Sequence, residues 1–217
     1  MMRNDFNRLI MVVILAVLLV PCQIFGNDTP PDAINKAAKK GVEKFIKGSR
    51  FEDLQRFGFK NKKEINGTDV SDGFRVYTIQ PNDLLNGKVA QDLQSLARPT
   101  DQWEYLVVNG SNAYALLTVD IVNGEWEPVS IGESELAKEL NDILHAWPSS
   151  SEYQYRFISV FKAKSDFIVI SQGKNVLGVI PLISFMSAIS TGKSNTFNSN
   201  TLVDPDKILS ELRSLVK

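Results

Sequence analysis

The chain reads as an α+β protein with a mainly antiparallel sheet, built from two β-β-β-α-like units and flanked by N-terminal helices and a C-terminal helix. Three features lead there. Apolar and polar residues alternate with a period of two in short segments between Trp103 and Leu182. Helical stripes occupy both ends of the chain and the segment after the third strand. The dipeptide Asn123-Gly124, whose residues both tolerate positive φ, suits a tight hairpin between two of the alternating segments.

Taken in order, residues 1–26 read as a leader and not as fold. Arg3 and Arg8 precede an unbroken apolar run, Leu9 to Val20, which Pro21 ends. The run is short of the ~20 apolar residues that cross a bilayer as a helix. Cleavage after Gly26 is expected, with a secreted or periplasmic destination. Cys22 is the single cysteine. Leu19-Val20-Pro21-Cys22 resembles a bacterial lipoprotein box, although that box takes a small residue where Pro21 stands. Cys22 is therefore a candidate for lipidation, and a membrane-anchored lipoprotein is the alternative destination. Without Cys22 the chain has no thiol and no disulfide, so apolar packing must hold it together.

Residues 27–100 read as a helical region with a single strand that packs on the sheet. Pro31 and Asp32 open a helix. Its apolar stripe is Ile34, Ala38, Val42 and Phe45; Lys36, Lys39, Lys40 and Lys47 form the opposite face, and Gly48 ends it. The basic face is expected to be solvated, and contact with anionic lipid is the functional alternative. Phe51, Leu54 and Phe57 add a turn or two, closed by Gly58. Phe74–Ile79 alternates as a strand, and Pro81–Asn86 and Val89–Ala97 read as short helices.

Residues 101–189 form the expected sheet core. Trp103–Asn109, Ala113–Ile121 and Glu125–Ile131 read as strands, and Glu133–Trp147 as a helix with Leu136, Leu140, Ile143 and Leu144 on one stripe. Tyr155–Ala163, Asp166–Gln172 and Asn175–Leu182 repeat the strand pattern, followed by a helix at Ile183–Ile189. A shift of fifty positions lays Tyr105 on Tyr155 and Val119 on Val169, which suggests an internal repeat. Residues 190–203 are rich in Ser, Asn, Thr and Gly and are expected to be flexible. In 204–217, Asp204 caps and Pro205 opens an amphipathic helix whose apolar side is expected to dock on the body.

The charge balance, 24 basic against 25 acidic residues, gives no reason to expect a nucleic-acid partner. It is uneven, however. Residues 36–63 carry ten Lys and Arg against three acids, and residues 101–142 carry nine acids against one lysine. Mutual attraction within one fold accounts for this, at little gain per exposed pair.

The chain is poorly supplied with catalytic groups, and no catalytic residue, metal site or cofactor is assigned. His145 is the single histidine, and no G-x-S-x-G elbow accompanies it. With one histidine and one cysteine, zinc would need carboxylate ligands, which is uncommon. Asp69 to Gly73 lacks the alternating ligands of a calcium loop. Ser187 to Ser194 ends like a phosphate loop but has Ser187 in place of the first glycine, and no helix pattern follows. Glu125 and Glu127 flank Trp126 as an ordinary edge pair. Asn66-Gly67-Thr68 and Asn109-Gly110-Ser111 fit the glycosylation acceptor pattern.

The candidate binding surface is the sheet face opposite the central helix, where Trp103, Tyr105, Tyr114, Leu116 and Trp126 are expected to project. The favoured expectation is that the N-terminal helices, with Phe45, Phe51 and Phe57, cover it, because they need somewhere to bury their own stripe. The favoured reading is a non-enzymatic binding module of the cell envelope or extracellular space, with an unidentified protein or small-molecule partner. Two alternatives are a hydrolase of carboxylates and hydroxyls without a conventional triad, and a lipid-associated structural protein of the envelope.

Overall fold

A computed structural model describes residues 28–71, 73–86, 93–149, 152–189 and 201–217. The expected leader, with Cys22 and the cleavage site after Gly26, lies outside the described residues, as does 190–200 of the expected flexible segment.

The fold is mixed α+β around one mostly antiparallel sheet. Its strands are β1 (Asp69–Val70), β2 (Phe74–Thr78), β3 (Arg98–Asn109), β4 (Asn112–Val122), β5 (Glu125–Gly132), β6 (Tyr153–Val160), β7 (Ser165–Gln172) and β8 (Asn175–Pro181). They lie in the order β5-β4-β3-β2-β6-β7-β8, and β1 pairs with β3 beyond the end of β2. Two antiparallel meanders, β3-β4-β5 and β6-β7-β8, therefore run outward from β2. The β2–β6 junction between them is parallel and short, joining Val76 to Phe157 and Tyr77 to Ile158.

The local chemistry of each meander is that of its turns. Asn123 and Gly124 have φ of 54° and 85°, the paired left-handed geometry that a two-residue hairpin demands. The β5 strand ends at Gly132. Glu133, also left-handed at φ 51°, turns the chain into α6 (Ser134–Ala146).

Both faces of the sheet are covered by helices. Along β7, Phe167 and Val169 face one way and Ile168 and Ile170 the other, and they join different apolar clusters. Helix α6 lies on the second face, packing Leu136, Ala137, Leu140 and Ile143 on Leu106, Leu116, Phe157 and Ile168. On the first face, α1 (Asp32–Val42) and the turns after it cover the β3–β5 half. Ile34, Ala38, Val42, Ile46, Leu54 and Phe57 bury Trp103, Tyr105, Leu117 and Val119 there. The β6–β8 half is covered by α4 (Pro81–Asn86), α5 (Leu93–Leu96), α7 (Ile183–Ile189) and α8 (Pro205–Leu215). In α8, Asp204 accepts the Asp206 N–H at 2.8 Å, and Ile208, Leu209 and Leu212 are buried, so this helix docks.

Two expectations about faces need correction. The register pairs Trp103 with Val119 and Tyr105 with Leu117, so Leu116 lies under α6 and not beside Trp103. Alternation within a strand cannot say which residue of the next strand it meets; pairing register does. The likeness between the two β-β-β-α units is likewise one of order along the chain. Tyr105 faces the N-terminal helices while Tyr155 faces α6, and α6 and α7 sit on opposite sides of the sheet.

Two short elements were not visible in the local pattern. Asn61 caps α3 (Lys62–Asn66) by accepting the Glu64 N–H at 3.1 Å. Strand β1 follows it and is separated from β2 by a break next to Gly73. Among the described residues no helix is long and apolar enough to cross a membrane.

Candidate functional site

The break beside Gly73 and the shortness of the β2–β6 junction have a common result. From Val76 and Phe157 the two parallel strands separate toward their N-terminal ends, and a cavity of about 530 Å³ opens between them. Its walls come from both faces of the sheet. Arg75, Tyr77 and Arg156 line it on the α1 side; Phe74, Tyr155 and Leu144 line it on the α6 side. Asp28, Thr29 and Pro30, with Asn35 of α1, close one end, and Pro148 and Ser149 after α6 border the other.

The polar lining groups Arg75, Arg156, Tyr77, Asp28, Asn35 and Tyr155 are held by specific contacts. The Arg75 Nε donates to the Thr100 carbonyl at 2.6 Å, and its Nη2 stands 3.8 Å from Asp101 Oδ1. The Arg156 guanidinium lies over the Tyr77 ring, 4.4 Å from its centroid. The Tyr77 hydroxyl donates to Asp28 Oδ2 at 2.8 Å. Burial and the Asp28 bond raise the Tyr77 pKa, and the charges of Arg156 and Arg75 act against them, so all four groups share one electrostatic environment. Tyr105 donates to Asn35 Oδ1 at 2.8 Å, fixing the amide at the mouth, and Tyr155 donates to the Trp147 carbonyl.

Chemically, the lining sets two guanidiniums against one carboxylate, among aromatic faces and a few neutral polar groups. A guanidinium offers a planar fork of donors that matches carboxylate or phosphate oxygens. The aromatic and aliphatic walls favour an apolar body beside that anion. Among the described residues of the lining, none pairs a nucleophile with a base. A second depression, about 530 Å³, adjoins the first through Asn35 and Ser71 and carries Asp32, Asp69, Lys36 and Lys39.

The residues singled out in the sequence lie elsewhere. Trp103 and Tyr105 are 4% and 0% exposed beneath the N-terminal helices. Tyr114 stacks on Phe59 with centroids 4.1 Å apart, and Trp126 packs half-buried against the same cluster. Trp103 and Tyr105 are thus interior packing, and Tyr114 and Trp126 are partly exposed at its margin. Of the basic residues of the first helical region, Lys40 on α1 meets Glu127 at 2.8 Å, and Lys47, beyond the end of α1, meets Glu43 at 2.8 Å. Exposed His145 has Nδ1 2.7 Å from the Asn141 carbonyl. Cys22 lies outside the described residues. Among the described residues no group of three or more His, Cys, Asp or Glu is placed to hold a metal ion.

One carboxylate does have the protonation behaviour of an acid catalyst. Burial pushes Glu104 up to about 7, against the bonds it accepts from Gln102 and Thr118, with Glu133 and Asp166 adding to the rise. It is 6% exposed, does not line the cleft, and is engaged by Gln102 at 2.8 Å and Thr118 at 3.0 Å. It has the pKa of a general acid without the access to a substrate.

The cleft residues carried a signal that alternation alone passes over. Arg75 and Arg156 are cations inside short strands that also hold Tyr77 and Tyr155. Both arginines line the cavity. Compared with family models, with curated proteins and with solved structures, the chain matches none.

Proposed function

We propose that the protein is an exported, non-enzymatic binding module whose cleft between β2 and β6 takes a small organic anion with an aromatic or apolar body. The observation that carries this reading is that Arg75 and Arg156, the latter over the Tyr77 ring, both line a cavity of about 530 Å³ walled by Phe74, Tyr155 and Leu144. That volume lies in the range of small-molecule sites, and its few polar groups converge among apolar walls as such sites require. Export is supported by the basic flank at Arg3 and Arg8 and the apolar run from Leu9 to Val20.

The test is calorimetric titration of the purified chain with a panel of aromatic carboxylates and aromatic phosphate esters, beside neutral analogues of the same size. Saturable binding of the anions is expected, weakened at least about ten-fold by Arg156→Ala, since a charge-assisted bond contributes about 1.5–3 kcal/mol. If anions and neutral analogues bind alike, or neither binds, the reading fails.

A further inference from the structure

The wall of the cleft that precedes α1 supplies its own anion. Asp28 lines the cavity with both arginines, and its carboxylate reaches the Tyr77 hydroxyl at 2.8 Å, on the ring that Arg156 covers. Resting on the anion-binding reading above, we propose that Asp28 is an internal ligand: its carboxylate occupies the anion position of the cleft, and an incoming carboxylate or phosphate must displace it.

Three features of the arm favour this over a fixed structural role. Asp28 and Thr29 are exposed, so the arm can leave without uncovering core. Among the described residues its hydrogen bonds are the Tyr77 bond and a 3.3 Å bond from Asn35 Nδ2 to the Pro30 carbonyl, a light attachment. Pro30 and Pro31 stiffen the chain between Asp28 and the start of α1, which keeps the carboxylate at the wall of the cavity that both arginines line. A tethered group at high effective concentration raises the apparent dissociation constant of any competitor by the factor with which it fills the site. It also screens for ligands, since a weakly held or neutral molecule cannot compete with a resident carboxylate. Asp28 is then a specificity-determining residue, selecting ligands that bring an anion of their own.

The experiment is fluorescence titration of the full chain with 8-anilinonaphthalene-1-sulfonate, a probe that combines an anion with aromatic rings. Asp28→Asn removes the charge at an exposed position and keeps an acceptor for Tyr77. Tyr77→Phe keeps the ring under Arg156 and lets the carboxylate go. Both are expected to bind the probe about five-fold tighter than the parent chain, and Arg156→Ala is expected to abolish the gain. Unchanged or weaker binding in either variant, with Arg156-dependent binding in the parent, overturns the internal-ligand proposal and leaves the anion site standing. Binding that is absent, or indifferent to Arg156, overturns both.

Discussion

Gly73 lies so close to the ring of Tyr105 that a Cβ on it would stand 2.4 Å from Cζ and 2.7 Å from the hydroxyl oxygen. Tyr105 in turn reaches Asn35 on α1, so this contact ties the break between β1 and β2 to the helix and to the mouth of the cleft. The glycine is needed for close approach.

Gly73→Ala must therefore push the Tyr105 ring aside. Overpacking of this kind costs about 1–3 kcal/mol, and urea denaturation should show a matching fall in stability. Tyr105→Phe keeps the ring, removes the hydroxyl that bonds Asn35, and should cost about 1 kcal/mol. Equal stability of Gly73→Ala and the parent chain would mean that the ring yields freely and that the contact sets nothing.

Glu104 makes stability depend on pH in a defined direction. Its pKa is raised to about 7 in the fold, whereas an unfolded chain would leave it near the ordinary value of 4.5. The folded state then holds a proton that the unfolded state has released, so stability is complete below the unfolded value and falls as pH rises through the folded one. The loss should amount to about 3 kcal/mol and level off above neutrality. Glu104→Gln keeps an acceptor for both Gln102 Nε2 and Thr118 Oγ1, which meet Oε1 at 2.8 and 3.0 Å. It should flatten the slope between pH 5 and pH 8 by about 3 kcal/mol, making the variant the more stable protein at pH 8. Thermal unfolding of both chains across that range gives the answer, and parallel profiles would refute it.

Helix α1 meets the sheet through Gly41. A Cβ there would stand 2.8 Å from both Leu117 methyl groups and 2.9 Å from the Pro128 Cβ. Leucine can rotate away, but the proline ring cannot. Alanine gains about 1 kcal/mol of helix propensity over glycine, and the overpacking penalty of about 1–3 kcal/mol should outweigh it. Gly41→Ala is expected to be destabilised despite the better helix former. Exposed Ala33→Gly on the same helix isolates the propensity effect and should cost up to about 1 kcal/mol. A stabilised Gly41→Ala would show that α1 can ride higher on the sheet.

These contacts mark where the sequence was informative and where it was silent. Ile183–Ile189 is the helix that the pattern predicts, residue for residue, and Asn123 and Gly124 adopt the positive φ their types allow. Periodicity and turn chemistry are local, and local signals decide such elements. Strand β1 is two residues long and exists because Val107 and Val108 pair with it from far along the chain. The cleft arises from the parting of β2 and β6, which belong to different parts of the sequence. Its arginines were visible as residues, but their convergence depends on strand order and register. Trp103 and Tyr105 were legible as one aromatic face. Whether helices covered that face depended on tertiary packing, and α1 covers it.

The export reading yields a last prediction. A chain processed after Gly26 begins at Asn27, directly before Asp28, and contains no thiol, since Cys22 leaves with the leader. Intact-mass measurement of protein recovered outside the cytosol should give that start, and maleimide labelling should give no adduct. Its unfolding midpoint should be unchanged by reductant, because a single cysteine permits no internal disulfide. A start at Cys22 with added acyl mass would establish the lipid-anchored alternative instead. A start beyond Asp28 would remove the residue that Tyr77 holds, and the isolated protein should then bind anionic probes like Asp28→Asn. An unprocessed chain in the cytosol would refute the export reading outright.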